Sequence, residues 1–116
     1  MQVDVPKTRY PLATSVEILA PTLSISLGAE LQNISLSGCY VRTSHSVPEH
    51  TRVRIILQTR GIKADLWGVV QRQDAGGIGI QFTNGTTVED WKALESVIHQ
   101  LASEIFPKSQ ATHAGI

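Results

Sequence analysis

Three residues in one short stretch have the types and spacing to hold a small polar ligand: Asn33, Ser35 and Gly38 of Asn33-Ile34-Ser35-Leu36-Ser37-Gly38. On extended backbone, side chains two apart leave the same face, so Asn33 and Ser35 would stand side by side. Gly38 then allows a change of direction that a Cβ would resist. An amide and a hydroxyl so placed at a strand end suit the polar edge of a small ligand. Asn, Ser and Gly also form turns by bonding their own backbone, and that reading competes with the first. Arg9 is a further candidate. Pro11 biases Tyr10 away from helix, which sets Arg9 on an extended arm approaching the first strand.

The remaining reactive types assemble into nothing catalytic. Cys39 is the single cysteine, so neither an internal disulfide nor a zinc framework is available, and a reducing, cytoplasmic location is expected. His45 and His50 are five apart with no third ligand at a useful spacing, so no metal is expected. Paired carboxylates, a nucleophile beside a base and a phosphate-cradling Gly-Lys loop are all missing from the sequence, and an enzyme is not expected.

The elements that must position these residues follow from composition and periodicity. The 116 residues, 41% hydrophobic and 17% charged, describe one ordinary globular domain. Ten basic and ten acidic side chains cancel, which gives no reason to expect DNA or an anionic membrane as a partner. The balance is mildly uneven: eight basic against six acidic side chains through Thr86, then two against four. No apolar run approaches a membrane span, and no N-terminal stretch has the form of a signal peptide, so membrane insertion is not expected.

Period-two alternation marks strands at Ser15 to Leu19 and in the segment 23–34, which reads as one bent strand or two. It resumes beyond Gly38, with Cys39 and Val41 inward and Tyr40 and Arg42 outward. Arg52 to Thr59 follows with Val53, Ile55 and Leu57 inward, then Ile62 to Arg72, and last Ile78, Ile80 and Phe82 after a hairpin at Asp74-Ala75-Gly76-Gly77. The period then changes. Trp91, Leu94, Val97, Ile98, Leu101 and Ile105 form one face of a helix, opened by Thr86 with Glu89 or Thr87 with Asp90 and closed by Pro107. A sheet of this length removes its exposed edges most economically by curling, so the expected fold is a small six-stranded antiparallel β-barrel followed by a C-terminal α-helix lying over a mouth or flank. Residues 1–14 form an expected flexible arm, 15–106 the barrel and helix, and 107–116 a disordered tail.

In this order, an arginine arm, the Asn33-Ile34-Ser35-Leu36-Ser37-Gly38 turn, the run Gly77-Ile78-Gly79-Ile80-Gln81-Phe82 and a closing helix resemble the PilZ domain, a family of bacterial receptors for cyclic di-GMP. The resemblance spans roughly residues 7 to 105 and implies a split-barrel fold, a signalling role and ligand contacts from Arg9, Asn33, Ser35 and Gly38. The family's arm carries Arg-x-x-x-Arg. Arg9 aligns with its second arginine, Val5 stands at the first, and Lys7 is the nearby substitute. Lysine offers a point charge where a guanidinium offers a planar fork. The resemblance therefore implies a cyclic di-GMP receptor with half an arm or, alternatively, a ligand-independent adaptor that engages an unidentified protein partner. In the receptor, the ligand would fold residues 1–10 over the barrel mouth.

Overall fold

The computed structural model describes residues 8–105. The expectations for residues 1–7, Val5 and Lys7 included, and for the tail at 107–116 lie outside the described residues. Six strands and one helix follow in order: β1 (Tyr10–Ala20), β2 (Ile25–Ile34), β3 (Gly38–Arg42), β4 (Arg52–Thr59), β5 (Ile62–Asp74), β6 (Gly77–Phe82) and α1 (Val88–Ile105). The strands close into an antiparallel barrel in the order β1-β2-β3-β6-β5-β4. Closure leaves no sheet edge, which is how a small all-β chain avoids edge-to-edge association.

Alternation fixes what faces inward. Val53, Ile55 and Leu57 of β4 and Ala64, Leu66 and Val70 of β5 are buried, as are Cys39 and Val41 of β3. Two connections have simple causes. Arg60 and Gly61 carry φ of 55° and 78°, the left-handed pair that a two-residue β4–β5 hairpin requires. At the β5–β6 hairpin, Asp74 Oδ1 accepts from Gly76 N at 2.9 Å and Gly77 N at 3.0 Å, so a carboxylate closes the turn.

Two boundaries differ from those read in the sequence. The first strand reaches back from Ser15 to Tyr10, so Tyr10, Pro11 and Thr14 pair with β2, with a register shift between Pro11 and Thr14, instead of standing apart from the barrel. Pro11 is tolerated there because β4 pairs with β1 only from Val16 to Leu19, leaving Pro11 beside a single neighbour. The segment 23–34 holds one strand, Ile25–Ile34, entered through a 3₁₀ turn at Pro21–Leu23 that Ser24 closes with φ 53°.

The helix begins with Thr87, not Thr86, as its cap. Thr87 Oγ1 accepts from Asp90 N at 3.1 Å and donates to Asp90 Oδ2 at 2.8 Å. Thr86 Oγ1 instead accepts from Trp67 N of β5 at 2.9 Å. Leu94, Val97, Ile98 and Leu101 join the barrel core, and Trp91 meets Phe82 edge to face at 6.4 Å. Two charged clasps hold the outside. Arg54 grips Asp65 in bidentate fashion, holding that carboxyl below its ordinary range, and Arg60 grips Glu104 near the helix end. No helix among the described residues is long and apolar enough to cross a membrane.

Candidate ligand-binding site

The candidate site lies where the start of β1 meets the end of β2. Arg9 donates from Nη1 to Asn33 Oδ1 at 2.9 Å, across 24 residues of sequence. The strand ladder brings them together: Pro11 pairs with Asn33 and Tyr10 with Ile34, so the residue before Tyr10 stands at this corner. Both side chains reach solvent, and among the described residues no other hydrogen bond engages either one. A guanidinium with free N–H groups beside a free amide donor can meet phosphate oxygens or the acceptor edge of a purine.

Asn33 faces outward because β2 carries a bulge. Leu31 pairs with Val41 of β3, and Asn33 pairs with Tyr40, so Gln32 is one residue too many for its neighbour. Leu31 and Ile34 are buried while Gln32 and Asn33 are only half-buried. Strict alternation from Leu31 would have turned Asn33 into the core; the extra residue reverses the parity.

Ser35 does not share a face with Asn33. It is fully buried, and its Oγ accepts from Ser37 N at 3.1 Å and Gly38 N at 3.2 Å. The same hydroxyl lies 3.1 Å from Ser37 Oγ and 3.3 Å from Gly38 O, and Ser35 N donates to Gly38 O at 2.8 Å. The hydroxyl is thus engaged by the two-residue turn Leu36-Ser37 that it spans, in the manner of a serine bonding its own backbone. The glycine requirement at 38 also has a different origin from a change of direction. Gly38 has no left-handed φ. A Cβ there would collide with Ile80 O and come within 3.3 Å of Gln81 Cα, so glycine is needed for the close approach of β3 to β6.

Residues that the sequence left unassigned continue the site across the barrel wall. Asn33 pairs with Tyr40, Tyr40 with Gly79, and Gly79 with Arg72, which makes one outward row over four strands. The Arg72 guanidinium lies over the Tyr40 ring, 5.3 Å from its centroid. Tyr40 OH donates to Asp74 Oδ1 at 2.7 Å, which raises the phenol pKa and lowers that of Asp74. The sequence signal for this row was the pair of glycines in Gly77-Ile78-Gly79, which leave the outer face of β6 without a side chain until Gln81.

Cys39 is fully buried beneath this corner, and burial pushes its thiol up to about 12. It is a core residue without nucleophilic character. Among the described residues, no three His, Cys, Asp or Glu side chains gather as a metal cluster would.

The model of the PilZ domain matches residues 7–100. Among solved structures, the chain is similar to the PilZ domain of CeSA from a cellulose-synthesizing bacterium, with 19% identity, a TM-score of 0.71, and coverage of 83% of this chain and 99% of that one. It is also similar to the PlzA protein of Borreliella burgdorferi in complex with c-di-GMP, at 11% identity and a TM-score of 0.58, covering 82% of this chain and 40% of that one. The Legionella uncharacterized protein Lpg0364 is similar at 18% identity and a TM-score of 0.57, with 84% and 96% covered. No curated protein sequence matches the chain. At these identities the structures speak for the fold, a six-stranded barrel followed by one helix, and the family model spans most of the residues that build it. The chain belongs to the PilZ domain family.

Proposed function

We propose that this protein is a regulatory module that binds cyclic di-GMP through the corner formed by Arg9 and Asn33. The observation that carries the reading is the Arg9–Asn33 hydrogen bond at 2.9 Å, which joins the arm and the turn at one solvent-facing point. In this reading the guanidinium takes a phosphate oxygen or the N7 and O6 edge of a guanine, and the Asn33 amide bonds the neighbouring base edge. Ser35 and Gly38 act through the turn: they fix the corner from which Asn33 projects. Lys7 adds a positive charge two residues before Arg9. The module does no chemistry. Its output is a surface that differs with and without ligand and that a protein partner reads.

The test is a calorimetric titration with cyclic di-GMP alongside thermal unfolding. Saturable heat and a raised Tm are expected, and the absence of both at saturating ligand would remove the reading. A second reading is favoured by one observation, Val5 at the arm position where the family places its first arginine. It makes the domain a ligand-independent adaptor, and it predicts capture of a protein partner with an affinity indifferent to the nucleotide.

A further inference from the structure

The two ends of the row Asn33-Tyr40-Gly79-Arg72 reach the outer surface by the same device. On β2 the extra residue Gln32 precedes Asn33, and on β5 the register shifts between Val70, paired with Ile80, and Arg72, paired with Gly79, so that Gln71 is the extra residue. Val70 is buried, and alternation from it would have aimed Arg72 inward. Each bulge therefore delivers a polar side chain to one outward line, at opposite ends of it.

Between these ends the surface is flat and aromatic. Gly79 contributes no side chain, and a Cβ there would meet only Arg72, with Nε at 3.1 Å and Cγ at 3.2 Å, so the arginine stem lies across the glycine toward Tyr40. Asp74 holds the phenol in place through its 2.7 Å bond. Asp74 touches Arg72 only loosely, at 3.6 Å, and the Arg72 side chain is 63% exposed. A weak surface pair of this kind leaves the guanidinium free to exchange partners. At about 4.8 Å per strand, the row from Asn33 to Arg72 covers roughly 14 Å of backbone, shortened by the lean of Arg72.

We infer that Tyr40 and Arg72 form the second wall of the ligand site: Tyr40 with its guanidinium cap stacks a purine base of the cyclic dinucleotide, and Arg72 supplies the planar fork that position 5 lacks. The inference rests on the receptor reading above and deepens it. A guanidinium held over an aromatic ring presents its edge to the N7 and O6 acceptors of guanine, whereas adenine offers a donor in place of O6. The wall therefore selects guanine over adenine as well as adding affinity.

The experiment titrates cyclic di-GMP and cyclic di-AMP into the wild-type protein and into Asn33→Ala, Arg72→Lys, Arg72→Gln and Tyr40→Ser, with thermal unfolding of each variant to show that the barrel is intact. The expected result is a loss of tenfold or more in cyclic di-GMP affinity for both Arg72 variants and for Tyr40→Ser, with a narrowed preference over cyclic di-AMP. Lysine should rescue little, because the fork and not the bare charge is at work. If the wild type binds, Asn33→Ala weakens binding, and both Arg72 variants stay within twofold of wild type, the second wall is wrong while the receptor reading stands. Full rescue by Arg72→Lys would overturn the fork. A wild type that binds neither nucleotide overturns the receptor reading, and the wall with it.

Discussion

Replacing Ser35 by alanine separates a serine that touches ligand from one that holds the corner. In the folded barrel the Ser35 hydroxyl accepts two backbone N–H groups, Gly38 N in a buried setting and Ser37 N in a half-buried one. Alanine leaves both without that acceptor. A buried donor stripped of its partner costs about 1–3 kcal/mol, and the half-buried one, which water can reach, adds a fraction of that. Together the loss is about 2–3 kcal/mol. For a domain near 100 residues, 1 kcal/mol shifts Tm by roughly 4–8 °C, so Ser35→Ala should melt about 8–24 °C below wild type. Scanning calorimetry or a urea midpoint reads this directly, with Ser37→Ala as the control, since Ser37 lends its own hydroxyl to a single contact at 3.1 Å. Nucleotide affinity, measured well below the new Tm, should fall only as far as the corner loosens. The opposite pattern, an unchanged Tm with binding lost, would refute the assignment of this serine to the turn and return it to the ligand.

The other perturbations divide along the same line. Asn33→Ala should leave the Tm within about 2 °C, because the side chain is only half-buried and its hydrogen bond to Arg9 is exposed, and weaken cyclic di-GMP binding by the worth of one hydrogen bond, about 0.5–1.5 kcal/mol or roughly two- to twelvefold in a titration. Val5→Arg, which completes the arm motif, should tighten binding by about 1.5–3 kcal/mol, a tenfold gain or more by calorimetry. Gly38→Ala should cost about 1–3 kcal/mol in a urea melt because its Cβ meets the β6 backbone, while Gly79→Ala, which meets only the Arg72 side chain, should be tolerated. Cys39 should resist thiol reagents at pH 8 until the protein unfolds. Its folded value of about 12 lies above the ordinary 9.0, so the stability it contributes is whole below pH 9 and is lost as pH rises toward 12, a slope that Cys39→Ala should lack.

Much of this architecture was legible because period two and period 3.6 are unambiguous where one face is buried. The inward sets of β3 and β4 and the helix face from Trp91 to Leu101 follow from spacing alone. Pairing order was not legible, since nothing local tells β3 to lie beside β6. The start of β1 was hidden by Pro11, which reads as a breaker until its single-neighbour position is known. In the site itself, the residue types of Asn33 and Ser35 were visible but their directions were not. Period-two reasoning gave them one face, while the bulge and the turn send the amide out and the hydroxyl in. One signal was present all the same. Leu27 and Leu31 are four apart and Ile34 follows after three, and an odd step between buried residues of one strand demands a change of parity.

That odd step shows where the physical cost of the site falls. A regular strand would put either residue 33 or residue 34 in the core. With Ile34 inward opposite Cys39 and Leu31 inward opposite Val41, only an inserted residue lets both apolar side chains be buried while an amide between them stays in water. The insertion interrupts the β2–β3 ladder and increases local twist. The same trade occurs on β5, where Gln71 lets Val70 face the core and Arg72 the solvent. Packing alone has a simpler solution in both places, an apolar residue at 33 or 72 on an uninterrupted strand. Two departures from that solution, on strands three apart around the barrel, place an amide and a guanidinium at the two ends of one outward row.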